Sequence, residues 1–476
     1  MNYLELLESY REDLLKTLGE LMAFPSVQAE AVKSADGKLM RYGRGVQDAY
    51  EYALKLGEEM GFETFDADGY AGHIQFNADE SVENPETLAI VGHLDVVPEG
   101  TGWDTDPFKL EIKDGWMHGR GVADDKGPLL SCLYVMKAMK EAGIKPKKNI
   151  RLILGLDEEN GLTGMQKYLE IAGMPDLGFT PDADFPLING EKGILTFDLA
   201  QKLTRQTSKD GLRLTKLEAG KAVNAVPALA KAVLAADDNL YATIKDRLAQ
   251  YTVETGYAIT AKKQGSSLVL EAKGRAAHGA HPHLGLNAIS ILMDFLGRLQ
   301  FSNEEINDYI AFYNDHIGFD VDGSRIGCCL KDDISELTFN VGVAAINEEL
   351  ASLTINIRYP VTMTSDDVFN GIQKELEGSK IGIIKREELK PLYIEANSPM
   401  VQTLMKVFRE ETGDTEAQPL VIGGGTYSKA FDNVVAFGAM FPGEPDTMHQ
   451  ANERKEEKLF FKALQIYAKA IYALAN

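Results

Sequence analysis

A histidine and an aspartate follow an apolar run, Leu88–Gly92, that is typical of a buried β-strand. His93 and Asp95 are two residues apart, and residues at i and i+2 of an extended segment point in the same direction. A carboxylate held against one imidazole nitrogen fixes the tautomer of the ring and leaves the other nitrogen free to bind a metal ion. The pair predicts a metal ligand if other ligand groups reach the same end of the strand.

Further carboxylates and a second isolated histidine lie at the boundaries of other predicted elements. Two of the acidic groups lie in a glycine-punctuated loop before a predicted helix over residues 128–142, and three follow a predicted strand over 149–156. Open α/β sheets bind ligands beyond the carboxyl ends of their strands, so these groups are expected to converge. The candidates are Asp124, Asp125, Asp157, Glu158, Glu159, Asp182 and His449.

Carboxylates and imidazoles without thiolates favour zinc, manganese or cobalt as the bound metal. The three cysteines offer neither zinc-site spacing nor a disulfide framework, because Cys132 lies in an apolar helix and Cys328 and Cys329 are neighbours. Each acidic pair by itself is also compatible with a solvated loop, since the chain has a net charge of −23.

Five motifs in this order resemble the co-catalytic dinuclear metallopeptidases, the family that includes aminoacylases, carboxypeptidase G and bacterial PepV-type dipeptidases. The resemblance covers almost the whole chain. The motifs are Gly92-His-Leu-Asp95, Gly119-Arg-Gly-Val-Ala-Asp-Asp-Lys-Gly127, Asp157-Glu-Glu159, Pro181-Asp182 and Met448-His449.

The resemblance implies a site with two divalent metal ions. His93 and Asp182 would bind one ion, Glu159 and His449 would bind the other, and Asp124 would bridge both. Asp124 is favoured over Asp125 because relatives with a single acidic residue there keep the first position. The family often has a cis peptide bond after this residue.

The resemblance also implies the roles of the two remaining carboxylates. Asp95 would orient His93, and Glu158 would be the general base that takes a proton from a water shared by the two metals and later protonates the leaving amine. The metals would lower the pKa of that water and polarise the scissile carbonyl.

The residue type at position 182 bears on the substrate. The corresponding position is glutamate in many acylases and carboxypeptidases and aspartate in the branch of amino-, di- and tripeptidases. Asp182 therefore favours a peptide with a free amino terminus over an N-acyl amino acid. Asp184 is an alternative ligand, because it would face the same side of an extended segment.

The order of the candidate ligands predicts two domains. His449 lies far from the other ligands in sequence, so residues 196–390 must leave the catalytic domain and return. A chain of 476 residues is also long enough for two or three domains of about 150 residues. We expect an α/β catalytic domain from residues 1–195 and 391–476, with a central mixed sheet flanked by helices, and an inserted α+β lid domain.

Local patterns predict several further elements. Apolar stripes predict amphipathic helices at both chain ends, and β-branched or alternating segments predict strands within the lid. The terminal stripes are Leu4, Leu7, Leu14, Leu18 and Leu21, and Phe460, Leu464, Tyr467, Ile471 and Leu474; the lid strands are 252–255, 267–272 and 351–358, and the lid helix is 287–299. The length of the lid resembles the doubled lid of PepV-like members, which act as monomers.

Three lid residues match the family's substrate-contacting positions. His278, in Ala276-Ala-His278-Gly279, matches a histidine that donates to the tetrahedral oxyanion, and Asn224 matches an asparagine in a substrate loop. Arg358 matches an arginine that holds a substrate carboxylate in a bidentate manner. His281 and His283 lie close to His278, and we interpret them as parts of an exposed polar loop.

The segment Ile422-Gly-Gly-Gly-Thr-Tyr427 is a glycine-rich loop of the catalytic domain. It lacks the lysine and serine that end a Walker sequence. Backbone amides in such a loop can bind a carboxylate, so Gly424 and Thr426 are candidate contacts for the C-terminus of a dipeptide. The same glycines are also compatible with a tight turn.

Composition excludes several classes of partner. The 72 acidic against 49 basic residues disfavour nucleic acid. No apolar run reaches the ~20 residues of a membrane span, and the N-terminus lacks the pattern of a signal peptide. We expect a cytoplasmic, monomeric protein that acts on small peptides.

The pattern as a whole predicts a metal-dependent dipeptidase. One alternative is an N-acyl amino acid deacylase or carboxypeptidase of the same fold, which Asp182 disfavours. The other is a catalytically silent metal-binding protein, which the presence of Glu158 beside five candidate ligands disfavours.

Overall fold

The computed structural model describes residues 2–34, 37–206 and 210–476. The chain forms two compact units. The first unit comprises Met1–Gly190 and Ile394–Asn476, and the second comprises Glu191–Tyr393.

A mixed β-sheet forms the centre of the first unit. The strand Thr87–His93 lies between two parallel neighbours, Asn149–Gly155 and Leu177–Thr180, and the outer strands on one side are antiparallel. Residues 88–93 are all buried, as expected for a central parallel strand covered on both faces. The strand order across the sheet is Ile188–Glu191, Val434–Ala436, Leu177–Thr180, Thr87–His93, Asn149–Gly155, Gly72–Phe76 and Glu63–Asp66, and Leu420–Ile422 pairs with Ile188–Glu191.

Helices flank this sheet and supply most of its core. The helix Lys126–Glu141 is buried on nearly all sides, and the N-terminal and C-terminal helices pack against it. The N-terminal apolar stripe continues across two helices that meet at Tyr10. The helices of the first unit are Tyr3–Ser9, Arg11–Met22, Arg44–Glu59, Lys126–Glu141, Thr163–Ala172, Pro399–Thr412 and Glu457–Ala475.

Short elements of the first unit shape its loops. Three peptide bonds among the described residues are cis: Asp124–Asp125, Phe185–Pro186 and Gly438–Ala439. The first of these is the cis bond that the family resemblance implies. The short strands are Val32–Lys33, Leu39–Met40, Glu111–Lys113, Trp116–His118, Ala183–Asp184, Ala439–Met440 and Arg454–Glu456, and the 3₁₀ helices are Glu158–Asn160 and Tyr427–Ala430.

The second unit contains an antiparallel sheet with its own helices and hydrophobic core. A two-stranded ladder, Ala225–Val226 with Ala277–His278, lies outside the main sheet. The strand order of the main sheet is Ala258–Gln264, Ser267–Lys273, Leu229–Ala235, Arg213–Ala219, Thr338–Asn347, Leu350–Tyr359, Gly193–Lys202 and Gly382–Leu389. The helices are Asp238–Thr255, Ala288–Leu296, Glu304–His316 and Ser365–Glu375, with a 3₁₀ turn at Pro282–Leu284 and a short strand at Leu392–Tyr393.

The fold class predicted from the sequence is confirmed, with one local error. The predicted strand over 252–255 is wrong, because these residues form the last turn of the helix Asp238–Thr255. The buried face of this helix includes Tyr241, Leu248 and Tyr251. Burial of these residues stabilises the helix more than the local β-preference of Thr252 and Val253 favours a strand. Among the described residues, no helix is both long and apolar enough to span a membrane.

Candidate metal centre

His93 lies at the carboxyl end of the central strand, with both ring nitrogens engaged. Its Nδ1 lies 2.8 Å from the carbonyl oxygen of Asp95 and 3.5 Å from the Asp95 carboxylate. Its Nε2 lies 2.9 Å from Oδ1 of Asp124 and 3.6 Å from Oδ2 of Asp182. The ring is fully buried. The backbone carbonyl of Asp95 is thus the nearer acceptor for Nδ1, and Nε2 points at the other acidic groups.

The carboxylate of Asp124 lies between two imidazoles. Its Oδ1 contacts His93, and its Oδ2 lies 2.9 Å from Nε2 of His449. Burial by itself would raise the pKa of Asp124, but the hydrogen bonds from His449 and His93 outweigh it and hold this pKa well below its usual range. The two oxygens of the Asp124 carboxylate thus contact the imidazoles of His93 and His449 at the same time.

The neighbouring Asp125 has a different environment. Its Oδ2 accepts a hydrogen bond of 3.1 Å from the backbone N–H of His93, and its Oδ1 is buried without a hydrogen-bond partner in the structure. A side chain at Gly92 would place its Cβ 2.3 Å from Oδ2 of Asp125, so a glycine is required before His93. Asp125 therefore contacts the backbone of the His93 strand.

Glu158 and Glu159 lie in the turn that follows the strand Asn149–Gly155. The carboxylate of Asp95 accepts the backbone N–H groups of both residues, at 3.3 and 3.2 Å. The two carboxylate oxygens of Glu159 lie 3.0 and 3.1 Å from Nε2 of His449. Asp95 therefore fixes the turn that carries both glutamates. The His-x-Asp spacing predicted a contact with His93 but not this second role.

In the part of the chain that the structure describes, two sets of three side chains have ligand atoms within 4.8 Å of one another: His93, Asp124 and Glu159, and His93, Glu158 and Asp182. Asp182 is thus part of this cluster. Asp184 belongs to neither set; it lies in the short strand that pairs in parallel with Ala439–Met440.

The electrostatics of this cluster fit divalent cations. Burial, and then the charge of Asp124, raise the pKa of Asp182 to about 7. Burial and the charge of Asp182 raise the pKa of Glu158 well above its usual range. Buried carboxylates in this proximity repel one another unless positive charge lies among them. Oxygen and imidazole donors suit zinc, manganese or cobalt.

His449 closes the cluster from the C-terminal part of the first unit. Its hydrogen bonds with Asp124 and Glu159 raise its pKa to about 11, and its side chain is 56% exposed. Its backbone has a φ of 60°, which an L-residue adopts only where the surrounding structure favours it. The most exposed of the candidate ligands therefore lies on a specifically shaped loop.

A buried ion pair that the sequence analysis missed shapes the loop of Asp124. Nη1 of Arg120 lies 2.7 Å from Oε2 of Glu453, and both side chains are almost completely buried. Oε1 of Glu453 accepts the backbone N–H groups of Gly121 and Ala123, both at 3.1 Å. Glu453 therefore fixes the backbone directly before Asp124.

A second missed pair shapes the turn that carries the glutamates. The hydroxyl of Tyr427 donates to Oδ1 of Asp157 at 2.8 Å and accepts the backbone N–H of Asp157 at 3.0 Å. The Tyr427 ring also meets the ring of His93 edge to face, at a centroid distance of 6.4 Å. A Cβ at Gly155 would lie 2.0 Å from the Tyr427 ring, so this contact requires a glycine in the strand.

A third buried pair shapes the loop that carries His449. Nζ of Lys455 lies 2.6 Å from Oε2 of Glu444, and it also donates to the carbonyl of Ala439 at 2.8 Å. Oε2 of Glu444 accepts the backbone N–H of Phe441 as well. The sequence gives no signal for these three pairs, because the two members of each pair are not at any characteristic spacing.

The glycine-rich loop lies in the same unit. Oγ1 of Thr426 accepts the N–H of Ser428 at 3.1 Å and caps the 3₁₀ helix Tyr427–Ala430, so the Thr426 side chain serves the turn. Gly424 is half-buried.

The three candidate lid residues lie in the second unit. Asn224 and His278 are exposed neighbours, since the ladder pairs Ala225 with His278. Arg358 is buried near the end of the strand Leu350–Tyr359, and burial lowers its pKa to about 10. Burial and the charge of Arg358 lower the pKa of His278. The structure thus brings Asn224, His278 and Arg358 into one region of this unit. His281 and His283 are exposed beside it.

Comparison with known proteins supports the fold and shows the class of protein. The family model described as "Peptidase family M20/M25/M40" matches residues 89–473. A Staphylococcus epidermidis protein named "Putative dipeptidase" is 36% identical over 468 residues, which cover 98% of this chain and 97% of the relative. A Staphylococcus haemolyticus protein of the same description is 34% identical, with 99% and 98% coverage.

Solved structures share the fold at low sequence identity. An aminoacylhistidine dipeptidase from Vibrio alginolyticus has a TM-score of 0.56 at 17% identity, with 97% of this chain and 96% of that chain covered. Human carnosine dipeptidase 1 has a TM-score of 0.53 at 14% identity, with 99% of each chain covered.

The buried Glu453 generates a prediction about metal affinity. The substitution Glu453→Gln removes the charge that pairs with Arg120 and leaves one acceptor oxygen in place of the two that bind Arg120 and the loop before Asp124. We expect metal affinity to fall by about 10- to 100-fold, as for other residues that orient metal ligands. Competition with a chelating indicator measures the affinity, with the surface variant Glu410→Gln as the matched control. Unchanged affinity in a folded Glu453→Gln protein would contradict this role.

Proposed function

Because the chain belongs to peptidase family M20/M25/M40, we propose that it is a metal-dependent dipeptidase that hydrolyses dipeptides with a free amino terminus. The observation that carries this proposal is the cluster around His93, in which imidazoles and carboxylates from five separate chain segments meet. Relatives that match this chain over its full length are named as dipeptidases, which supports the substrate class.

We propose that the cluster holds two divalent ions, zinc or manganese, with cobalt as a further candidate. His93 and Asp182 would hold one ion, Glu159 and His449 the other, and Asp124 would contribute to both. The contacts of Asp124 with both imidazoles support its bridging role. When bound, such ions lower the pKa of water and polarise the scissile carbonyl, so that hydrolysis proceeds at neutral pH without a covalent intermediate.

Glu158 is the proposed general base. Its backbone N–H is bound by Asp95, so its position is fixed from the strand end that carries His93. Glu159 contacts His449, whereas Glu158 lies on the side of Asp182. Glu158 can therefore take a proton from the attacking water and return it to the leaving amine, as a positioned acid–base group does.

The second unit is proposed to act as the lid that binds the substrate. Arg358 would hold the substrate carboxylate in a bidentate manner, and His278 would donate a hydrogen bond to the oxyanion. Nε of Arg358 is buried and has no hydrogen-bond partner among the described residues, so it is available to a ligand carboxylate. Asn224 would contact the substrate beside His278. Gly424 and Thr426 of the first unit are proposed backbone contacts for a carboxylate.

The remaining proposals concern the state of the protein in the cell. We propose a cytoplasmic location. The free thiols of Cys132, Cys328 and Cys329 support this proposal, because thiols stay reduced in the cytosol. We propose a monomer, because the length of the second unit resembles the doubled lid of PepV-like members, which act as monomers.

A panel of three substrates tests the proposed activity. The protein is stripped with a chelator, resupplied with manganese or zinc, and assayed on a neutral dipeptide, its N-acetyl derivative and the corresponding tripeptide. We expect metal-dependent cleavage of the dipeptide alone. Cleavage of the acetylated compound would instead assign the protein to the acylase type, and no cleavage by the metal-loaded protein would contradict an enzymatic role on these substrates.

The general base has its own test. The substitution Glu158→Gln keeps the size of the side chain but removes its ability to accept a proton. We expect kcat on the dipeptide to fall by about 10²- to 10⁴-fold, while the number of ions bound per chain stays unchanged. Mass spectrometry of the metal content and steady-state kinetics measure the two quantities. Activity close to that of the wild type would rule out Glu158 as the base.

A further inference from the structure

A buried asparagine of the second unit bonds to both sides of the Asn224 turn. Nδ2 of Asn340 lies 3.2 Å from the carbonyl oxygen of Val223 and 3.0 Å from that of Ala225. The Asn340 side chain is buried, with 2% of the residue exposed, whereas Asn224 is exposed between the two bonded carbonyls. One amide group therefore fixes the peptide units before and after a side chain that points to solvent.

Two glycines allow the backbone to approach this turn from either side. A Cβ at Gly342 would lie 2.1 Å from the carbonyl oxygen of Val223, and a Cβ at Gly279 would lie 2.8 Å from that of Asn224. Gly342 lies in the same strand as Asn340, and Gly279 follows His278 directly. The turn is thus held tightly between two backbone segments.

The same turn is connected to His278. Ala225 pairs with His278 and Val226 pairs with Ala277, and the N–H of Gly279 donates to the carbonyl of Asn224 at 2.7 Å. A shift of the turn must therefore move the segment of His278 as well. Asn340 bonds to the backbone of the Asn224 turn, and the ladder connects this turn to the segment of His278.

The orientation of the Asn340 amide indicates a specific role. Both of its bonds go to carbonyl oxygens, so the NH₂ group must face the turn, and Oδ1 is buried without a partner in the structure. A buried polar atom without a partner is unfavourable for stability. The two hydrogen bonds that Nδ2 donates to the turn explain an amide at this position in spite of that cost.

We propose that Asn340 is a positioning residue that sets the backbone of Asn224 and, through the ladder, that of His278. The inference rests on the proposed function, because it assigns the two positioned residues to substrate binding. Asn340 acts through the turn and is not itself a catalytic residue.

The test compares Asn340→Leu and Asn340→Asp with the control Asn356→Leu. The leucine side chain has no donor, and the aspartate, which keeps the shape of the asparagine, can donate to at most one of the two carbonyls, when it is protonated. Asn356 is a matched control because it lies opposite Asn340 in the sheet register, is equally buried and also has an unpartnered Oδ1, but its Nδ2 donates to Thr196 rather than to the turn.

The first readout is hydrogen exchange of the turn, which does not depend on activity. We expect the backbone amides of residues 225–226 and 277–279 to exchange faster in both Asn340 variants and at the wild-type rate in Asn356→Leu. Unchanged exchange in the Asn340 variants, or equally fast exchange in Asn356→Leu, would overturn the proposal. Circular dichroism verifies that each variant is folded.

The second readout is kinetic. We expect kcat/KM on the dipeptide to fall by about tenfold in Asn340→Leu, since its two hydrogen bonds to the turn are lost. In the background of Asn224→Ala and His278→Ala together, the same substitution should have little further effect, because residues that act through one another are not additive. A full additional loss in that background would overturn the proposal.

The two readouts separate this inference from the proposed function. If the wild-type protein cleaves no dipeptide, the proposed function fails, and the exchange measurement still decides whether Asn340 holds the turn. If the wild-type protein is active but exchange and kinetics are unchanged in the Asn340 variants, the proposed function stands and the positioning role is wrong.

Discussion

Repulsion among buried carboxylates is the constraint on which the first unit depends. Several acidic side chains approach one another around the ring of His93, and burial together with the charge of Asp124 raises the pKa of Asp182 to about 7. Removing water from like charges is costly unless cations or hydrogen bonds compensate. Two divalent ions would provide that compensation. The cluster of carboxylates that lowers the stability of the fold would then also bind the ions that support hydrolysis.

The surrounding structure holds these ligands through a layer of buried pairs. Glu453 fixes the loop of Asp124, Tyr427 and Asp157 fix the turn of the two glutamates, and Lys455 with Glu444 shapes the loop of His449. Each pair bonds to backbone rather than to the ligand side chain itself. In the second unit, Asn340 bonds to the backbone on both sides of Asn224 in a similar way. Backbone shape, more than side-chain contact, thus determines where the functional groups lie.

Local features made the fold class and the strand ends predictable from sequence. The apolar run before His93 is buried in a parallel strand, and the acidic turn after Gly155 follows the neighbouring strand. The supporting pairs were not predictable, because Arg120 and Glu453 are 333 residues apart and only the fold brings them together. The predicted strand at 252–255 was wrong for the opposite reason: the residues have a local β-preference, but they form the last turn of a long helix whose buried residues include Tyr241, Leu248 and Tyr251.

Counting the ions bound by each chain tests the central claim most directly. The chelator-stripped protein is titrated with manganese or zinc, passed through a desalting column and measured by mass spectrometry for metal per chain, beside the variant Asp124→Ala. The account predicts two ions per wild-type chain and a loss of tight binding in the variant, since Asp124 contacts both halves of the cluster. A wild-type chain that retains no ions, or a variant that still binds two tightly, would contradict it.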